Sequence, residues 1–135
     1  MANSFYSKGL ENFLAGNLDW DANDVRLVLI DEDDDAPVLA TDDALDDILA
    51  GARVDTSGSF TTKAVTDGHA DADDVTLTTV TGDEFESFTI YYHTGTESTS
   101  LLMVNIDTAT GLPCTPNGGD ITIQWDDGTD KIFTL

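Results

Sequence analysis

Acyl-transfer chemistry needs a nucleophile, a base and a group that orients the base. This chain offers two histidines, His69 and His93, and one cysteine, Cys114. His69 follows the turn pair Asp67-Gly68, and His93 closes the run Tyr91-Tyr92-His93-Thr94-Gly95; neither lies in a nucleophile-elbow pattern. Cys114 stands between Pro113 and Pro116 with no basic neighbour to favour its thiolate, so it reads as an inert thiol. A single cysteine also permits no intrachain disulfide and no four-cysteine zinc site. Gly118-Gly119 lacks the Lys-Ser/Thr that a phosphate-binding loop requires. The expectation is a protein that is not an enzyme and carries no cofactor.

Carboxylates are abundant, and that abundance removes their specificity. With 27 acidic residues in 135, some pair falls at the separation of a two-carboxylate glycosidase by chance. One spacing has residue-level content. Asp31, Asp33 and Asp35 match the first three ligand positions of an EF-hand loop, and Asp42 falls at its closing position. Ala36 replaces the turn glycine, however, and an apolar run of strand type precedes the loop. Asp19, Asp21 and Asn23 repeat the partial pattern and fail sooner, with Asp24 for the glycine and Ile30 for the closing glutamate. The segment is expected to be a solvated acidic loop with no tightly bound ion, Asp31, Asp33, Asp35 and Asp42 being the calcium candidates.

Five Lys and Arg against 27 Asp and Glu give a formal net charge of −22 and a pI near 4.1. Nucleic acid and anionic membrane surfaces need clustered Lys and Arg, so neither is an expected partner. The acids are mostly aspartate, the only glutamates being Glu11, Glu32, Glu84, Glu86 and Glu97. Aspartate favours caps and turns over helix interiors, because its short side chain competes for nearby backbone groups. Such a charge also suits a saline medium, where it is screened. Hydrophobic residues make up 40% of the chain, enough for a core. Met1-Ala2-Asn3-Ser4 opens no signal-peptide pattern, and no apolar run reaches membrane-spanning length.

The chain is expected to be one domain over residues 1–135, with a helical segment in 1–17 leading into a β domain. Ser4 is a candidate N-cap, and Tyr6, Leu10, Phe13 and Leu14 recur at helical spacing, which predicts a helix over 5–15 ending near Gly16. Val25 to Ile30 is a nearly continuous apolar run between acidic turns, the pattern of a strand buried on both faces. Thr41, followed by Asp42 and Asp43, predicts a second helix over 42–49 that Gly51 closes. From there the period becomes two. Strands are expected at 59–65, 74–80, 87–93, 100–107, 120–125 and 131–135, about seven to nine in all. Asp127-Gly128 reads as the turn of a hairpin joining the last two. The fold class is mainly β, an antiparallel sandwich or jelly-roll-like sheet with two short helices. Its core is expected to hold Leu27, Leu29, Val75, Leu77, Phe88, Ile90, Leu102, Val104, Ile121, Ile123, Ile132 and Phe133.

Several stretches run together as a pattern over nearly the whole chain. They are Ser4-Phe5-Tyr6-Ser7-Lys8-Gly9 through Leu18-Asp19-Trp20-Asp21-Ala22-Asn23-Asp24-Val25, Leu45-Asp46-Asp47-Ile48, Ala72-Asp73-Asp74-Val75-Thr76, Tyr91 to Ser100, and Asn117-Gly118-Gly119-Asp120-Ile121-Thr122-Ile123-Gln124-Trp125. This pattern resembles small virion structural proteins of tailed bacteriophages. The resemblance implies a building block of the particle: a capsid decoration, or cement, protein on the outside of the icosahedral shell, with a tail or head–tail component as the alternative. It carries over no catalytic or ligand residue.

On that reading the partners are the major capsid protein and further copies of the chain, expected as a homotrimer. The location is the capsid exterior of a virion assembled in the host cytoplasm. Phe5, Tyr6, Leu10, Phe13 and Leu14 are the candidate interface, because a short amphipathic helix is marginal alone and must cover its apolar face with its own sheet or a partner. A second function class is a receptor- or glycan-binding module that uses Trp20, Tyr91 or Tyr92 as stacking platforms. A third, an acidic mimic of DNA, is disfavoured because the acids are scattered through turns.

Overall fold

Strands form at Ser4–Phe5 (β1), Val25–Ile30 (β2), Arg53–Thr56 (β3), Ala64–Thr66 (β4), His69–Asp71 (β5), Val75–Leu77 (β6), Ser87–Tyr92 (β7), Leu102–Ile106 (β8), Ile121–Ile123 (β9) and Phe133–Thr134 (β10), with one α-helix, Ser7–Leu14 (α1). They are taken from a computed structural model that describes residues 4–129 and 131–135. The architecture is mainly β and antiparallel, as the alternating pattern predicts, in a sandwich-like arrangement. A five-stranded sheet runs in the order β1-β8-β7-β2-β3; beside it lie a three-stranded sheet, β10-β5-β4, and a two-stranded one, β6-β9.

β2 is apolar almost throughout because both faces of the large sheet are covered. Leu27 and Leu29, with Phe88, Ile90, Val104 and Ile106 from β7 and β8, enter the main core with residues of the two smaller sheets. Val28 and Ile30 point the other way, into a second cluster with Tyr6, Tyr91 and Leu102. That face is closed by Leu45, Ile48 and Ala52 from the segment between β2 and β3. Burial on both sides is the condition under which a strand loses its alternation.

Two tryptophans tie the main core to the end of β5 and the loop that follows it. The indole N–H of Trp20 donates to the carbonyl of Asp71, and that of Trp125 to the carbonyl of Asp73, each at 3.0 Å. Each indole thus stays buried while its one polar atom is satisfied. Phe133 stands at the centre of an aromatic group, 5.1 Å from Phe5, 5.2 Å from Trp20 and 6.0 Å from Phe13 between ring centroids.

Four expectations are corrected. The N-terminal helix begins at Ser7 and not at residue 5, with Tyr6 at its N-cap. Ser4 and Phe5 instead pair with Asn105 and Val104 of β8, which takes Ser4 out of a capping position.

The second helix shrinks to a 3₁₀ turn at Leu45–Asp47, followed by another at Ala50–Ala52. Its aspartates bond the backbone locally: Asp42 accepts from the Val38 N–H, and Asp47 from those of Asp43 and Ala44. This competition is the reason aspartate disfavours helix interiors. Gly51 sits within the second turn without the left-handed conformation.

The strands are shorter and more numerous than expected. Residues 59–65 contribute only the start of β4, while β3 and β5 have too little periodicity of their own to be read.

The C-terminal hairpin does not form. β9 pairs with β6, and β10 pairs with β5 through Phe133↔Ala70, which leaves Phe133 in the aromatic group with Phe5, Phe13 and Trp20. Asp130, at the end of the expected turn, lies outside the described residues. The Asp-Gly that does close a two-residue hairpin is Asp67-Gly68, between β4 and β5, with φ of +51° and +82°. Two successive positive φ values are the demand that selects Asp-Gly in such a turn. The expected core residues are buried except Ile121 and Ile123, which lie half-buried in the narrow β6-β9 ribbon.

Candidate functional site

The sequence offers two places where function could reside: the apolar face of the first helix and the acidic loop after β2. α1 lies on β8 at very short range because Gly9 has no side chain. A Cβ at that position would stand 2.6 Å from the carbonyl oxygen of Met103 and 2.8 Å from that of Leu102. The close approach divides the five candidate interface residues. Tyr6 is fully buried in its own chain, its hydroxyl bonded to Thr89 Oγ1 at 2.8 Å. Phe5 and Phe13 pack on Phe133. Leu10 and Leu14 are left on the outside, 41% and 91% exposed. The available part of the expected interface is therefore Leu10 and Leu14. Tyr6 is withdrawn from it, because the fold covers the inward face of the helix with its own sheet. Beside the two leucines, Lys8 Nζ meets Glu11 Oε2 at 2.9 Å, so the outer face of α1 is charge-balanced.

The acidic loop does not assemble the four expected calcium candidates. Asp35 accepts the backbone N–H of Leu49, and Asp42 that of Val38; both carboxylates serve to pin the 38–49 segment. Asp31 is buried, and with Asp33 it approaches a residue from another loop, Glu86. Asp31 also approaches Asp34 and Asp83; in each trio the ligand atoms lie within 4.8 Å of one another. The residues that spacing missed are Asp34, Asp83 and Glu86. The run Asp83-Glu84-Phe85-Glu86 is conspicuous in the sequence, but nothing local says that it folds beside residue 31. The link is the register of β2 on β7, which pairs Ile30 with Ser87.

Within this group Asp31 accepts the Asp33 N–H at 3.0 Å, and Glu86 accepts the Glu32 N–H at 2.8 Å. Partial burial, then the neighbouring Asp31, Asp33 and Glu84 charges, raise the Glu86 carboxyl above its ordinary value. These bonds account for the turn's shape. A third acidic trio, Asp43, Asp46 and Asp47, is exposed. There the hydrogen bond between the two side chains raises Asp43, and the Asp43 backbone N–H lowers Asp47.

His69 Nδ1 shares a 2.7 Å hydrogen bond with Thr134 Oγ1, across the β5–β10 pairing. His93 lies just beyond β7, its Nδ1 3.4 Å from the Tyr91 hydroxyl. Of the three aromatics considered as stacking platforms, Trp20 and Tyr91 are buried and Tyr92 is half-buried in the edge of the main core. No helix is long and apolar enough to cross a membrane among the described residues. No family model matches this chain, and no curated protein matches it.

Proposed function

We propose that this chain is a structural component of a tailed-phage virion, a capsid decoration protein that binds the outside of the icosahedral shell and ties its subunits together. The observation that carries the reading is the outer face of α1. In a chain of net charge −22, copies repel one another, and contact requires a surface that is apolar and locally neutral. Leu10 and Leu14 beside the Lys8–Glu11 pair form such a surface, on a helix fixed rigidly to the sheet through Gly9. The resemblance of the sequence to small virion proteins supplies the particle context. The threefold positions of a shell supply the symmetry for a trimer, and many weak contacts on one shell add up through multivalency.

The alternative, a tail or head–tail receptor-binding module, would have to bind without Trp20 and Tyr91, whose rings are occupied in the core.

Electron microscopy of particles purified with and without the protein tests the proposal. Density on the outer shell is expected; density confined to the tail supports the alternative, and absence from the particle defeats both. Deleting the first 16 residues is a poor perturbation, because it removes β1 and the buried Tyr6. The Leu10→Ser, Leu14→Ser double variant changes only exposed side chains. It is expected to fold normally yet lose shell occupancy and shift the solution mass toward monomer.

A further inference from the structure

β9 has a partner on one side only. It pairs with β6 through Val75↔Ile123, Thr76↔Thr122 and Leu77↔Ile121, and among the described residues no third strand joins this ribbon. In an antiparallel pair every second residue turns its N–H and C=O away from the partner, so the outer edge of β9 carries unpaired backbone groups.

A cleft of about 680 Å³ lies along that edge. Ile121, Thr122, Ile123 and Gln124 all line it, whereas no residue of β6 does. Successive strand residues point to opposite faces of a sheet, so a cleft touching four in a row runs beside the strand and not across one face. Its far wall is the segment around Leu112 and Cys114, and its floor is apolar: Phe88, Ile106 and Trp125. At one end stand the exposed carboxylates of Asp126 and Asp127, and no Lys, Arg or His lines the cleft.

We infer that this cleft is a docking site for an extended peptide segment of another protein, which adds as a strand to β9, seats apolar side chains on the floor and places a basic residue against Asp126 and Asp127. Strand addition supplies affinity through main-chain hydrogen bonds and specificity through the pockets for alternate side chains. The observations select this occupant over a compact apolar molecule. The outward-facing N–H and C=O groups of β9 are matched by another backbone, while the acidic end selects the charge. β9 offers three residues of pairing, about 10 Å. The inference rests on the cleft alone and holds whether or not the chain decorates a capsid.

The test uses the full isotope-labelled chain and a blocked heptapeptide, Lys-Thr-Val-Thr-Val-Thr-Lys. Saturable amide shifts are expected at Thr122, Gln124 and Gly111, with slower maleimide labelling of Cys114, which lines the same cleft. A proline-interrupted version cannot pair and is expected not to bind. The Asp126→Asn, Asp127→Asn double variant keeps the local turn, because an Asn oxygen can still accept the Gly128 N–H that Asp126 now receives. It is expected to bind the Lys-flanked peptide about three- to tenfold more weakly, the size of exposed charge pairs, and a Thr-flanked peptide unchanged. Three results would overturn the inference: no shifts up to the peptide's solubility, equal binding of the proline-interrupted peptide, or shifts that map to another sheet edge, such as β3 or β4, instead of β9.

Discussion

Gly9 in α1 stands directly against the backbone of Met103 in β8, so close that a single added methyl would lie 2.6 Å from its carbonyl oxygen. Backbone cannot move aside as a flexible side chain can. Gly9→Ala would gain about 1 kcal/mol of helix propensity on an isolated helix. Here the overlap outweighs that gain: the variant is expected to lose about 2 kcal/mol or more, measured by urea unfolding followed by circular dichroism.

Burial of Tyr6, countered only in part by its bond to Thr89, raises its phenol well above the ordinary tyrosine value, and Asp42, Glu32 and Asp35 push it in the same direction. The folded state therefore holds this proton more tightly than the unfolded state. The resulting stability is fully present below the unfolded phenol's value near pH 10 and is lost as the pH rises through the folded one. Melting followed from pH 8 to 12 should show a decline that sets in only above about pH 10. Tyr6→Phe is expected to flatten that decline and to cost about 1 kcal/mol at neutral pH, since Thr89 keeps its bond from Asn105.

Arg53 holds the cover of the second cluster in place. Its guanidinium donates to the carbonyls of Leu45 and Ile48 while pairing with Glu97. Arg53→Ala is expected to cost about 2 kcal/mol through the unmet carbonyls, and to speed amide hydrogen exchange in residues 45–52. Glu97→Gln, which leaves the carbonyl bonds intact, should have the smaller effect on both measurements.

Phe133→Ala removes the ring that Phe5, Phe13 and Trp20 share. A loss of about 3–5 kcal/mol is expected, the range for deleting a buried phenylalanine. Trp20 fluorescence should shift to the red as its contact is lost.

Salt should stabilise the protein. Raising NaCl from 0.1 to 1 M shortens the screening length from about 10 to about 3 Å and relieves the repulsion of a chain at −22. Part of that repulsion is local to Glu86, raised by its burial and by Asp31, Asp33 and Glu84. Its protonated form suits the fold, so its contribution is present in acid and lost as the pH rises through the raised value. Glu86→Gln is expected to gain about 0.5 kcal/mol in low salt and little in high salt. Millimolar calcium at matched ionic strength should add nothing beyond sodium; a sharp further rise in melting temperature, abolished by Asp31→Asn, would establish an ion site at Asp31.

The sequence by itself determined the mainly β class, the position of β2 and ten of the twelve core residues it named, because each follows from a period or an apolar run that a short window contains. Charge by itself made the repulsion between copies a condition on any assembly. Tertiary structure decided what depends on residues far apart. Asp-Gly occurs at 67–68 and 127–128, yet only the first closes a hairpin; Phe133 pairs with Ala70 of β5 and packs on Trp20 instead of following β9. The same holds for the acids. Spacing grouped Asp31 with Asp35 and Asp42, whereas the register of β2 on β7 grouped it with Glu86. Local hydrogen bonding to Leu49 and Val38 had already claimed the other two. Which face of a helix is apolar is written in its period; which of those apolar residues remain exposed was fixed only when Gly9 seated the helix on Met103 and left Leu10 and Leu14 outside.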